Sequence, residues 1–316
     1  MTMDQRNQNR RRPDAVGIHS VDHFVFSVPD LDEAGRFYSA FGLQVCASAN
    51  RLHLHTEGHP HCWATVCMSG ETKRLEYVRF GIYAEDEILL RQRIETLGLA
   101  CAPHPLAEPG GIWLCNPDGT PWQLVVAPKV SPSNKTRPTL RQSAPIGTGA
   151  APSRSRAPRV RPRALSHVLF FTPDVRRMTR FCIDVLGLRL SDESAGNIAF
   201  LHGAHGSDHH LIAFARSHAP GLHHSSWDVG SIDEVGGGAE QMRLAGYTLG
   251  WGLGRHVLGS NYFHYVRDPW GSYAEYSFDI DYIPHDLNWE AADHAPEDSL
   301  YVWGPAVPED FIVNHE

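Results

Sequence analysis

Glu275 lies in the aromatic, strand-like run SYAEYSF, where an unpaired carboxylate is costly to bury. Two histidines stand upstream in similar settings: His167 in ALSHVLFFTPD and His224 in GLHHSSWDV. Two histidines and one carboxylate, each opening or ending a strand, fit a facial set of metal ligands. Such a set leaves coordination positions open on one side and is the arrangement used for oxygen chemistry at non-haem Fe(II). His210, His256 and Tyr265 remain as titratable or hydrogen-bonding groups around it.

Each of these residues also has a plainer reading. His167 could pair with a backbone carbonyl at a strand start. Glu275 could form an ion pair with Arg267. Tyr265 could be a packed core tyrosine in the run YFHYV. His224 adjoins His223, and His210 adjoins His209. Strand alternation sends neighbours to opposite faces and favours His224 over His223 as a ligand. The joint occurrence of the set outweighs the individual alternatives.

The spacing carries a resemblance. Nine residues separate His256 from Tyr265 and ten separate Tyr265 from Glu275; DHHLIAF precedes LHH by the short interval of adjacent strands. The chain resembles the two-domain type I extradiol (ring-cleaving) catechol dioxygenases of the vicinal oxygen chelate superfamily, closely over 163–281 and loosely over 18–127. In that family the first ligand histidine opens a strand, as His167 does. The second is the latter histidine of an HH pair, here His224. The third is the glutamate six residues after the proline of a D-P-x-G turn, here Glu275 after Pro269. The resemblance makes His210 the acid–base histidine that handles oxygen and protons. It makes His256 and Tyr265 the pair that holds the substrate oxygen losing its proton. It implies Fe(II), favoured over Mn(II), a catecholic substrate with O2 as co-substrate, and ring opening beside the hydroxyls to a 2-hydroxymuconic semialdehyde-type product. It also implies a homo-oligomer.

These residues need elements to position them, and an internal repeat supplies them. DHFVFSVPDLDEAGRFYSAFGL (22–43) parallels SHVLFFTPDVRRMTRFCIDVLGL (166–188). Each reads as a strand, a P-D turn that caps a helix, and a G-L exit. NPDGTPWQLVV (116–126) echoes DPWGSYAEYSF (268–278) as turn and strand. The expected fold class is α+β: two tandem domains, each of two βαβββ modules, which the resemblance joins into an open mixed-sheet barrel. The expected divisions are a disordered tail over 1–17, a non-catalytic domain over 18–127, a linker over 128–162, a metal-binding domain over 163–284 and a C-terminal segment over 285–316. The linker is rich in Pro, Ser, Arg and Thr and too poor in large apolar groups to fold alone. In the first domain His23, Tyr77 and Gln123 occupy the slots of His167, His224 and Glu275. Tyrosine and a neutral amide make a poor cation site, so this half is expected to keep the fold without the metal.

Composition excludes other classes. The 316 residues suit about two domains. A net charge of −8 gives no general attraction to nucleic acid. No apolar run is long enough to span a membrane, and the polar start MTMDQRNQNRRRPD has no secretory apolar stretch. The six cysteines form no C-x-x-C pair. Cys62 and Cys67 could make a zinc half-site but lack a matching pair, so buried thiols in a reducing cytoplasm are the simpler reading. Phe170, Phe214, Trp227, Phe263 and Trp270 are candidates for an apolar substrate pocket. The aromatics of 285–316, among them Trp289, Tyr301, Trp303 and Phe311, are expected to fold over the site or meet a neighbouring subunit. Two rival classes are a glyoxalase or isomerase that uses metal without O2, and a non-catalytic small-molecule binding protein.

Overall fold

A computed structural model of the chain describes residues 11–139 and 145–316. In chain order the first half contains β1 (Ile18–Val28), α1 (Leu31–Phe41), β2 (Gln44–Ser48), β3 (Arg51–His55), β4 (Cys62–Met68), β5 (Arg74–Ile82), α2 (Ala84–Thr96), β6 (Ile112–Cys115) and β7 (Pro121–Val126). The second half contains β8 (Ala164–Thr172), α3 (Val175–Leu186), β9 (Leu188–Ser194), β10 (Ile198–Gly203), β11 (Ser207–Asp208), β12 (Ile212–Arg216), β13 (Gly221–Asp228), α4 (Ile232–Leu244), β14 (Gly250–His256), β15 (Tyr262–Arg267) and β16 (Tyr273–Phe278). Beyond it come β17 (Tyr282–Ile283), β18 (Ala292–Asp293), the short α5 (Pro296–Ser299) and β19 (Tyr301–Trp303). No helix among the described residues is long and apolar enough to cross a membrane.

The repeat is built as its sequence dictates. β1 and β8 are almost wholly buried central strands. Asp30 caps α1 and Asp174 caps α3, each side chain accepting the backbone N–H three residues on. Gly42 and Gly187 end these helices at φ 102° and 69°, a region only glycine enters freely.

Strand order is β2-β3-β4-β1-β5-β7-β6 in the first sheet and β18-β9-β10-β12-β8-β13-β16-β15-β14-β19 in the second. Within each module the first strand pairs parallel with the last, as in β8–β12 and β13–β16, and the two modules meet antiparallel at β8–β13. β1–β4, β5–β7 and β1–β5 repeat this scheme in the first half. The α+β fold of paired βαβββ modules is therefore present. In the second module of the first half, one strand shrinks to an isolated bridge between Ala100 and Leu114.

One hydrophobic cluster runs through both halves. Phe41 stacks on Tyr276 at 3.9 Å, and Tyr276 donates to the Phe41 carbonyl at 2.7 Å. Lys73 of the first half pairs with Asp268 of the second, both about 1% exposed.

Two stretches are more ordered than expected. The expected tail falls partly on residues 1–10, which lie outside the described residues. From Arg11 onward, however, it is tied down. Arg11 pairs with Asp86, and Arg12 donates to the His285 carbonyl at 3.1 Å. The described part of 128–162 carries only a 3-10 turn at Arg154–Arg156, yet it is anchored to both halves. Ser131 donates to the His19 carbonyl at 2.6 Å, and the Thr139 N–H to the Gly230 carbonyl at 2.7 Å. Local polar bonds fix what composition alone read as free chain.

Candidate metal centre and substrate cavity

β8, β13 and β16 are neighbours in the second sheet, and each contributes one residue to a buried cluster: His167, His224 and Glu275. His167 Nε2 and His224 Nε2 are 3.3 Å apart, and Glu275 Oε2 lies 3.3 Å from the first and 3.5 Å from the second. Corners of such a triangle can all lie about 2 Å from one point near its plane, the bond length of first-row divalent ions to these donors. Among the described residues, three such groups converge only here.

Proton positions agree with a cation. Ser166 donates to Asp208 Oδ2 at 3.4 Å, so its oxygen can accept from His167 Nδ1 at 3.2 Å. The Phe311 carbonyl can only accept, so His223 Nε2 donates to it at 2.8 Å. His223 Nδ1 then accepts from His224 Nδ1 at 2.7 Å. Both histidines of the cluster are left with a bare Nε2, the form that binds metal. Glu275 Oε2 is buried with no hydrogen bond of its own. An orphaned carboxylate oxygen facing two bare imidazole nitrogens is what a divalent ion resolves.

Electrostatics follow from burial. Burial, with His223 beside it, holds the His224 imidazole well below its usual range. Burial and the rings of His167 and His209 do the same to His210. Burial opposes ionisation of Glu275; protons on the adjoining His167 and His256 nitrogens would offset it and hold the carboxyl well below its usual range, a part that falls to a divalent ion when those nitrogens are bare. Burial and Glu275 push the Tyr265 phenol well up.

The other expected residues come together here. His210 packs on His167 with ring centres 4.0 Å apart. Tyr265, opposite Glu275 on β15, packs against His224 at 5.1 Å. His256 Nδ1 donates to the Leu300 carbonyl at 2.7 Å, so its Nε2 accepts from the Tyr265 hydroxyl at 3.0 Å. These groups line one cavity of about 260 Å3. Arg267 does not pair with Glu275; it binds Asp310 and His315 instead.

Several expectations need correction. His223 and His224 do not face opposite ways: a bulge in β13 between Leu222 and His224 breaks alternation, and both rings line the cavity. Phe170, Phe214 and Trp227 belong to the main core, with Trp270 packed against it, and Phe263 packs on Trp251. The cavity's aromatic walls are Phe200, Trp251 and Phe311. Sequence reasoning missed Asn261, whose amide donates to Glu275 Oε1 at 3.2 Å and to Ser277 Oγ at 2.9 Å. No local pattern marks it. It also missed the supporting roles of Ser166 and His223, although the HH doublet was a visible signal.

The first half carries the same slots with one imidazole and no carboxylate. His23 Nδ1 bonds the Cys62 carbonyl at 2.9 Å, the Gln123 amide donates to the Gly110 carbonyl at 2.9 Å, and Tyr77 packs on Trp113.

Residues 164–276 match the family model of the glyoxalase/bleomycin resistance protein/dioxygenase superfamily. The chain is 50% identical to metapyrocatechase 2 of Cupriavidus necator over 313 residues, 99% of this chain and 97% of that one. Among solved structures it is similar to a Mn(II)-bound glyoxalase from Novosphingobium aromaticivorans, with TM-score 0.74, 24% identity and 95% of each chain covered. It is also similar to an extradiol ring-cleaving dioxygenase from B. fuscum, with TM-score 0.74, 19% identity, and 96% of this chain and 84% of that one covered.

Proposed function

The chain belongs to the two-domain extradiol dioxygenases of the glyoxalase/bleomycin resistance protein/dioxygenase superfamily, and we propose that it cleaves catechols bearing an apolar substituent, using Fe(II). As an extradiol dioxygenase it inserts both atoms of O2 into a catechol and opens the ring beside the hydroxyls. One observation carries the assignment of the site: two bare imidazole nitrogens and an orphaned carboxylate oxygen converge on the wall of an apolar cavity.

Fe(II) at His167, His224 and Glu275 would supply open coordination positions, charge that favours the catecholate, and a path for electrons from catechol to O2. The remaining work falls to side chains. The bare Nε2 of His256 takes the proton of one substrate hydroxyl, with the Tyr265 phenol bridging the two. The Leu300 carbonyl, accepting from Nδ1, stabilises the imidazolium that results. His210 sits on the His167 side of the site. Buried and neutral at rest, it takes the second catechol proton, stabilises developing negative charge on oxygen as the imidazolium, and returns the proton when the O–O bond breaks.

The cavity supports the choice of substrate. Leu169, Ile198, Leu258, Val307 and Ile312 join its aromatic walls, and no lysine or arginine lines it. A carboxylated catechol would bring a further anion near Glu275 and Glu309 with no lysine or arginine to pair it. Free thiols at all six cysteines support a reducing cytoplasm, and we expect a homo-oligomer there.

The test is turnover of the ferrous protein with catechol, 4-alkylcatechols and a carboxylated catechol, under air and under argon. A yellow product formed only with O2, at one O2 per ring, is expected, with alkylcatechols preferred. Turnover under argon would instead mean metal-assisted isomerisation. Reconstitution with Mn(II) in parallel decides the metal: higher specific activity with Mn(II) than with Fe(II) would overturn that choice.

A further inference from the structure

The second histidine doublet is connected like the first. His209 Nε2 lies 2.8 Å from Asp192 Oδ2, and His209 Nδ1 lies 3.1 Å from His210 Nδ1. Asp192 Oδ1 accepts from the Ala292 N–H at 2.9 Å and from His294 Nε2 at 3.2 Å. Asp192, His209 and His210 are all buried, while His294 is about one-third exposed.

With one proton on each imidazole, counting protons gives the direction of each bond. The Asp192 carboxylate can only accept, so His209 Nε2 carries a proton. A neutral His209 then has a lone pair on Nδ1 and can only accept there. His210 must therefore donate from Nδ1. Its Nε2 is left as the bare nitrogen of a residue that lines the cavity. We propose that Asp192 and His209 are positioning residues that lock His210 as the Nδ1–H tautomer, and that the C-terminal segment completes the array by holding Asp192 through Ala292 and His294.

The consequence is that one nitrogen of His210 both takes a proton from a catechol hydroxyl and returns it to oxygen. When Nε2 is protonated, the imidazolium keeps its Nδ1–H bond to His209, and the Asp192 charge behind it stabilises the cation. When Nε2 gives the proton up, the starting tautomer is restored without ring rotation. This is the logic by which a buried aspartate orients a catalytic imidazole, here acting through a second imidazole. It rests on the ring-cleaving reading for the purpose of His210, but the tautomer itself does not depend on that reading.

Asp192→Asn is the informative variant. The asparagine oxygen can still accept from Ala292 and His294, which turns its NH2 toward His209. That reverses both downstream bonds and places the His210 proton on Nε2. The expected result is a fall in kcat of about 100-fold, KM within about twofold and full metal occupancy. Histidine-selective 15N NMR of the full chain loaded with diamagnetic Zn(II) reads the proton directly. We expect it on His210 Nδ1 in the wild type and on Nε2 in Asp192→Asn. Four results would overturn the proposal: a wild-type His210 protonated on Nε2, an unchanged tautomer in the variant, an unchanged kcat, or metal lost along with activity. The wild-type spectrum decides even if the variant fails to fold. A wild type that cleaves no catechol yet shows the Nδ1–H tautomer would instead fault the assigned reaction.

Discussion

At the scale of single residues, charge separates ligation from catalysis. Glu275→Gln keeps the size of the side chain and its bond from Asn261 while removing the anion that faces His167 and His224. It copies Gln123, the residue in the same slot of the first half. Metal content measured by elemental analysis should fall from stoichiometric to near zero, with melting of the apoprotein little changed. Retained iron would show that the carboxylate is not a ligand. His210→Phe tests the opposite case. The ring packs on His167 and Phe200 without being one of the three converging donors, so a phenyl group fills the space. Iron and catechol should still bind while turnover drops by about 10²–10⁴-fold, the usual contribution of a proton-transfer group. A loss of iron matching that of His224→Ala would mean that His210 ligates.

At the scale of elements, the D-P-W-G turn before β16 is the part most exposed to test. Asp268 accepts backbone N–H groups of Trp270 and Ser272, which shape the turn, and it pairs with Lys73 across the boundary between the halves. Both side chains are buried, so removing one partner strands a charge. Lys73→Ala should destabilise by about 3–5 kcal/mol, read as a lower denaturation midpoint, whereas Asp268→Asn with Lys73→Met should recover much of the loss. A Lys73→Ala midpoint equal to wild type would show that the pair is not coupled. This turn also shows what was legible from sequence. The P-D caps, the G-L exits and the D-P-x-G turn are local signals, and they located β8, α3, β16 and the donors on them. The cavity wall was not legible. Phe170 and Phe200 look alike in sequence, and only the sheet register sends one to the core and the other to the cavity. The shortened module at Ala100 was equally hidden, because a bridge and a strand differ by pairing rather than by composition.

At the scale of the whole molecule, the C-terminal segment encloses the site from outside the repeat. β18 pairs with β9 and β19 with β14. Leu300 gives its carbonyl to His256, Phe311 gives its carbonyl to His223, and Val307, Phe311 and Ile312 wall the cavity. The segment thus accepts from two of the site's histidines and walls the cavity, though it holds none of the three converging donors. Burial of Phe311, with Trp289 and Tyr301 half-buried, makes its docking favourable, while Trp303 stays exposed. Truncation after Pro284 should leave metal binding largely in place while lowering kcat/KM for catechols by about 100-fold or more, since misplacement of a proton-accepting group is costly. It should also uncouple O2 uptake from product, because water enters where ring cleavage needs a dry site. The truncation exposes Trp251 and Tyr273 and will lower the melting temperature, so Phe311→Ala serves as the milder partner. That change opens the wall but keeps the strands paired, and it should raise KM for alkylcatechols more than for catechol itself. Unchanged rate and unchanged coupling in both variants would show that the segment is a passenger, and that the two carbonyls it contributes do not set the histidines they touch.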